Sequence, residues 1–218
     1  MAADSKIFFF HMPKCAGTSV WRYLGKIYGH RKMFQVANAE DVKAFNEMTL
    51  SSLKAYSVIG GHHFLSTYRE RLGDFDGYFR VTAVRDPIDR LISFYNFIRK
   101  DRKHPRFEQV RKATFEEFSL GEAPNSQTQL LTGGEDGAEA IEVLDDWFDY
   151  YTITERADDL MHKLSEVGNV RARRALHKNA SRKKVRRDEV DPALVSRLQQ
   201  IHGADLRLYD HARDRQGR

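Results

Sequence analysis

KIFFFHMPKCAGTS, residues Lys6 to Ser19, joins a buried-strand pattern to a small-residue turn carrying one lysine and two hydroxyls. Four consecutive apolar residues, Ile7 to Phe10, read as a short strand covered on both faces. Met12-Pro13 ends it, because proline cannot donate to a ladder. Ala16-Gly17 leave the backbone uncovered, and Thr18 and Ser19 open a helix, Ser19 to Tyr28, with Val20, Leu24 and Ile27 on one face. Strand, tight turn and helix N-terminus aim several backbone N–H groups and a helix dipole at one spot, which suits an anion such as phosphate or sulfate. The P-loop of nucleotide triphosphatases does not fit. That loop needs a lysine directly before the hydroxyl that holds magnesium, whereas Lys14 precedes Gly17, and no apolar run ends in a paired aspartate.

Further along, YFRVTAVRDPIDRLISFY, Tyr78 to Tyr95, repeats the strand-to-helix pattern. Phe79, Val81 and Ala83 alternate with Arg80, Thr82 and Val84 as in a strand. Asp86-Pro87 then supplies an acidic N-cap and a proline at the first helical position. Arg85 is thereby placed at a strand's C-terminal edge. Ser93 falls two turns into the helix, whose apolar stripe is Leu91, Phe94, Tyr95 and Ile98. Pro-Lys-x-x-Gly-Thr-Ser or Arg-Asp-Pro alone is an ordinary turn or helix start; both in order, each after a strand, are a stronger signal.

The two motifs together resemble those of sulfotransferases, in particular the carbohydrate 2-O-sulfotransferase-like family. Its 5′-phosphosulfate loop reads approximately hxPKtAGTS, and its 3′-phosphate motif reads RDPxxRxxSxY. The resemblance implies a donor, 3′-phosphoadenylyl sulfate (PAPS), and a product, adenosine 3′,5′-bisphosphate (PAP). It assigns Lys14, Ala16, Gly17, Thr18 and Ser19 to the donor's 5′ side, and Arg85 and Ser93 to its 3′-phosphate, a task for which a guanidinium fork is suited. Cys15 stands where the family usually has threonine, which removes one hydroxyl contact. Gly60-Gly61-His62-His63 follows a strand over Tyr56 to Gly61, and the family's Gly-His step there supplies the base that takes the acceptor's proton. His62 matches that step, and an imidazole suits it by its near-neutral pKa. His63 is the second candidate, since only one of two adjacent strand side chains faces the cleft. Adjacent histidines rarely share one metal ion, so no metal is expected.

Asn125 and Gln127 lie in a stretch similar to the family's NxQtrxL segment, which implies acceptor contacts; the plain reading is that they cap a helix. Arg171 to Arg187 holds nine Lys or Arg and no acid, and outside it acids outnumber bases, so the net charge of +5 is local. Without aromatic interleaving or a recognisable recognition helix this run does not indicate nucleic acid. It resembles the loop that covers the nucleotide in these sulfotransferases, which implies that Ser181 and Lys184 approach the 3′-phosphate or adenine; the plain reading is a solvated basic loop.

The remaining pattern gives helices over Asp41 to Leu53 and Phe115 to Leu120, a loop over Gly133 to Gly137 and a strand over Phe148 to Thr154. A helix carrying Leu160 and Leu164 follows, then one opened by Asp191-Pro192, and last one over Ile201 to Ala212. Alternating strands and helices predict an α/β three-layer sandwich, with a mostly parallel central sheet and the phosphosulfate turn at its C-terminal edge. At 218 residues a single domain, 1–218, is expected. No stretch approaches the roughly 20 apolar residues of a membrane span. No signal peptide is read before the first strand, and one cysteine fits a reducing compartment, so the expected location is the cytoplasm unless an N-terminal anchor has been removed. The expectation is in-line sulfuryl transfer to a hydroxyl of a carbohydrate or small metabolite, without a metal. A magnesium-dependent kinase-type enzyme and a polyanion-binding module are the rivals.

Overall fold

The computed structural model describes residues 5–73, 75, 77–170 and 185–215. Its sheet has five strands: β1 (Lys6–Phe10), β2 (Met33–Val36), β3 (Val58–Gly61), β4 (Tyr78–Val84) and β5 (Tyr150–Ile153). Their order is β2-β3-β1-β4-β5, and every pairing is parallel, so the sheet is wholly rather than mostly parallel. The four apolar residues of β1 put it at the centre. Phe8 and Phe10 enter one core and Ile7 and Phe9 the other, so both faces of the strand are buried. Each such side chain contributes roughly 1.5–3 kcal/mol by leaving water.

The helices are α1 (Gly17–Tyr28), α2 (Ala39–Glu47), α3 (Leu50–Lys54), α4 (Leu65–Leu72), α5 (Pro87–Lys100) and α6 (Phe107–Val110). They continue with α7 (Phe115–Leu120), α8 (Ser126–Thr132), α9 (Gly137–Trp147), α10 (Ala157–Val167), α11 (Pro192–Ile201) and α12 (Gly203–Arg215). Helices α1 and α10 cover one face of the sheet, with Val20, Leu24, Leu160 and Leu164 against Ile7 and Phe9. Helices α4, α9 and α12 cover the other, bringing Tyr68, Leu144 and Leu208 to Phe8 and Phe10. A third cluster joins α5 to α7 and α11 through Leu91, Tyr95, Phe115, Phe118 and Leu198.

Several expected boundaries move. The helix expected over Asp41 to Leu53 is two, because Thr49 leaves the helical path and caps α3 by accepting from the Ser52 N–H. β2 and α9 were not anticipated, and Gly137 opens α9 instead of ending a loop. The helix expected over Ile201 to Ala212 breaks at His202.

The chain runs from β1 out to the edge strand β2 and returns through β3. It then passes beyond β1 to β4 and β5, so the connections after β1 and β4 depart in opposite directions. A crevice opens at the C-terminal ends of two such strands, where ligands of open α/β sheets bind. At the end of β3, Gly60 and Gly61 have φ of 151° and 139°. A Cβ on either would lie 2.0 Å from the carbonyl oxygen of Phe9 or Val36. Only glycine fits between these neighbours, and the bend it allows is completed by His62 N–H donating to Val36 O at 2.7 Å.

Candidate active site

Four strands each hand over to a cleft-lining residue at their next position: His11 after β1, His62 after β3, Arg85 after β4 and Thr154 after β5. The cleft measures about 390 Å³ and is floored by the turn from Pro13 to Ser19, with Ser93, Phe94 and Phe97 of α5 on one wall. An adjoining recess of about 370 Å³ shares Lys14, Arg85, Ser93 and Phe97.

The turn is held in an uncommon conformation. Lys14 and Ala16 both have positive φ, 71° and 58°, which costs a non-glycine residue roughly 1–2 kcal/mol. Three contacts hold it: Cys15 N–H donates to Met12 O at 3.2 Å, Arg85 Nη1 donates to Lys14 O at 3.1 Å, and the Cys15 side chain is buried. Cys15 Sγ points to Gln127 Oε1 at 3.3 Å, and burial pushes its thiol up to about 12. The side chain at this position faces the core, so having cysteine in place of threonine takes no hydroxyl from the cleft.

Helix α1 begins with no side-chain cap and no acid in its first turn. The N–H groups of Gly17 and Thr18, at its first two positions, have no intrahelical acceptor. The Ser19 N–H is already engaged, donating to Ala16 O at 3.0 Å, which leaves the hydroxyl as what Ser19 presents. The Lys14 ammonium lies 3.8 Å from the centroid of the Phe97 ring.

Arg85 is held from behind. Gln127 Oε1 accepts from Arg85 N–H at 2.9 Å, and Gln127 Nε2 donates to Arg85 O at 2.8 Å. The guanidinium then projects forward, with a buried Nε that has no hydrogen-bond partner among the described residues. Such a group is costly unless something meets it. Gln127 is only 1% exposed, and Asn125 is also buried. Asn125 Oδ1 accepts from the N–H groups of Ala204 and Asp205, capping α12. Asp205 returns the arrangement by accepting from the N–H groups of Gln127 and Thr128 in the first turn of α8. Asn125 Oδ1 and both amide atoms of Gln127 are thus engaged within the protein, in keeping with the plain reading that stood beside the acceptor contacts the resemblance implies. One caps a helix and the other clamps the arginine.

His62 Nδ1 lies 2.9 Å from the His11 carbonyl oxygen. A carbonyl can only accept, so Nδ1 carries the proton and Nε2 keeps its lone pair. Burial holds His62 below the usual histidine range; the bond to the carbonyl opposes this, and Lys14 lowers it further. His63 accepts from Phe64 N–H at 2.9 Å and packs its ring on Phe64 and Tyr68, away from the cleft-lining set. His11 was not singled out in the sequence. It is 7% exposed, its ring centroid is 4.0 Å from that of His62, and burial, His62 and Lys14 push it down to about 2.

Ser181 and Lys184 lie outside the described residues. Val185, where description resumes, is fixed to α5 by a two-way bond with the Asn96 side chain at 2.9 and 3.0 Å. Arg187 beside it pairs with Asp86 and Asp89. Among the described residues no three His, Cys, Asp or Glu side chains are grouped to hold a metal ion. No described helix is long and apolar enough to cross a membrane.

A family model described as "Sulfotransferase family" matches residues 1–212. Among solved structures, the crystal structure of a sulfotransferase from Alicyclobacillus acidocaldarius matches with a TM-score of 0.56 and 14% sequence identity, covering 96% of each chain. At that identity the likeness is one of fold. No curated protein matches this sequence.

Proposed function

This chain belongs to the sulfotransferase family, and from that premise we propose that it moves a sulfuryl group from PAPS to a hydroxyl of a carbohydrate or small metabolite, releasing PAP. The observation that carries the reading is the convergence, on one cleft, of an uncapped helix N-terminus beside Lys14 and a clamped arginine with an unpartnered buried Nε. Two anion-seeking groups lining one cleft suit a ligand that carries more than one phosphate.

The donor supplies an activated sulfuryl group attached to a phosphate. His62 accepts the acceptor's proton at Nε2 as the acceptor oxygen bonds to sulfur. Lys14 and the N–H groups of Gly17 and Thr18, with the Ser19 hydroxyl and the Ala16 turn backbone, neutralise charge on the departing phosphate. Arg85 and Ser93 hold the 3′-phosphate, and Ser181 and Lys184 are assigned to the same end. No step calls for a metal ion, since the leaving phosphate meets a fixed cation.

Calorimetric titration with PAP tests the reading. The wild-type protein is expected to bind at or below millimolar concentration. Arg85→Ala should weaken binding about 10- to 100-fold, matching the roughly 1.5–3 kcal/mol of a charge-assisted hydrogen bond. Absence of heat up to millimolar PAP, or unchanged affinity in Arg85→Ala, would refute it.

A further inference from the structure

The two adjacent imidazoles, tilted at 43° to each other, are locked in opposite tautomers by partners that leave no choice. Trp21 Nε1 lies 3.2 Å from His11 Nδ1. An indole N–H can only donate, so His11 Nδ1 is the acceptor and the proton of the neutral ring sits on Nε2. In His62 the reverse holds, with the proton on Nδ1 and a lone pair on Nε2. One ring thus offers a base and its neighbour, 4.0 Å away, a neutral donor.

The donor stands beside the anion turn. A Cβ on Gly17 would lie 1.6 Å from His11 Nε2, so the ring packs on the bare Cα of the first residue of α1. Phe9 stacks near the ring at 5.4 Å and an interplanar angle of 10°, fixing its plane. Among the described residues no group takes the Nε2–H, and His11 lines the cleft although it is more than nine-tenths buried. Burial and the neighbouring Lys14 oppose a second proton on this ring, which keeps it a neutral donor.

We propose that His11 is a catalytic residue of this site, its Nε2–H donating a hydrogen bond to an oxygen of the sulfuryl group in transit. The inference rests on the sulfotransferase reading above. In the step, the bond from sulfur to the departing phosphate oxygen breaks and the bond from sulfur to the acceptor oxygen forms. The acceptor proton passes to His62 Nε2, and the leaving electron pair stays on the phosphate. His11 keeps its proton throughout and acts only on charge carried by the sulfuryl oxygens, as a positioned donor in an oxyanion site does.

Two variants test it against a structural role. His11→Phe keeps the ring and removes the donor; His11→Gln carries an amide N–H to about the place of Nε2. Steady-state kinetics with PAPS and an accepted hydroxyl compound, beside calorimetry with PAP, are the readouts. PAP lacks the sulfuryl group, so its affinity should stay within about threefold in His11→Phe, while kcat falls about 100- to 1000-fold. His11→Gln should recover at least about tenfold of that loss. Near-normal kcat in His11→Phe, a fall in PAP affinity as large as the fall in kcat, or no recovery in His11→Gln would each overturn the proposal. If His11→Phe does not fold, His11→Asn, which keeps an acceptor for Trp21 but is too short to carry a donor to the Nε2 position, replaces it under the same criteria. A wild-type protein that binds no PAP removes the sulfotransferase reading and this proposal with it. Normal PAP binding with unchanged kcat in the variants removes the proposal alone.

Discussion

Lys14 sits at a positive φ that few side chains adopt, and the Arg85 guanidinium holds its carbonyl there. The backbone that strains Lys14 is thus fixed by a residue of the same cleft, and its ammonium rests 3.8 Å from the centroid of the Phe97 ring. Lys14→Ala and His62→Ala should each lower kcat about 100-fold or more, the size typical of losing one positioned catalytic group. His63→Ala should stay within about threefold, because that ring is engaged by Phe64 and Tyr68. Stopped-time assays of the purified variants check both; near-normal turnover of His62→Ala would transfer the base role elsewhere. At this scale the sequence was informative where chemistry is written locally. Lys14, Arg85 and His62 sit in short motifs at strand ends, Ser93 sits two turns into the helix that follows one, and all line the cleft. His11 lies inside the first stretch but at a position the motif reads only as apolar, Thr154 sits at an equivalent strand end without a motif, and the order of the strands brings both in.

Between elements, the reciprocal caps of α8 and α12 decide where Arg85 stands. Asn125 serves the N-terminus of α12, Asp205 serves that of α8, and Gln127 passes the constraint to the arginine backbone. Gln127→Ala removes both bonds to Arg85 and should destabilise the fold by about 1–3 kcal/mol, the cost of leaving buried polar groups unpaired. It should also weaken PAP binding while leaving the KM for the acceptor unchanged. Urea denaturation, calorimetry and acceptor titration separate these effects. A raised acceptor KM with intact PAP affinity would return Gln127 to the role first expected of it. The element pattern was legible where an Asp-Pro start is written in the sequence, Asp86-Pro87 at α5 and Asp191-Pro192 at α11, but not at α9 or α3, whose caps Asp136 and Thr49 are as local. The partners of Asn125 and Gln127 lie about 80 residues away along the chain, beyond what a local pattern encodes.

Across the whole molecule, the buried His11 and His202 and the half-buried His62 make stability depend on acid in a defined direction. Burial lowers His11, His62 and His202 in the fold below the ordinary value of 6.5 that they regain on unfolding. The unfolded chain therefore binds more protons below about pH 6.5, so their stabilising contribution is complete above that value and is lost as pH falls. With His11 depressed to about 2, it alone should cost on the order of 1 kcal/mol per pH unit as pH falls below about 6.5. Urea denaturation at pH 7 and pH 5 should show the loss before most carboxylates titrate, and equal midpoints at both values would contradict it. The layered parallel architecture was readable from alternating strands and helices, because β1 is apolar at every position that meets a core. The edge strand β2, only partly buried, gave too weak a pattern to be seen. The linkage from Asp205 through α8 to Arg85 has one more effect, on biosynthesis. The turn and the arginine are both translated before Asp205, the residue that secures them through Gln127. A nascent chain holds the strands beside the arginine before it holds the aspartate behind Gln127, so the arginine is expected to reach its final seat only once α12 has docked.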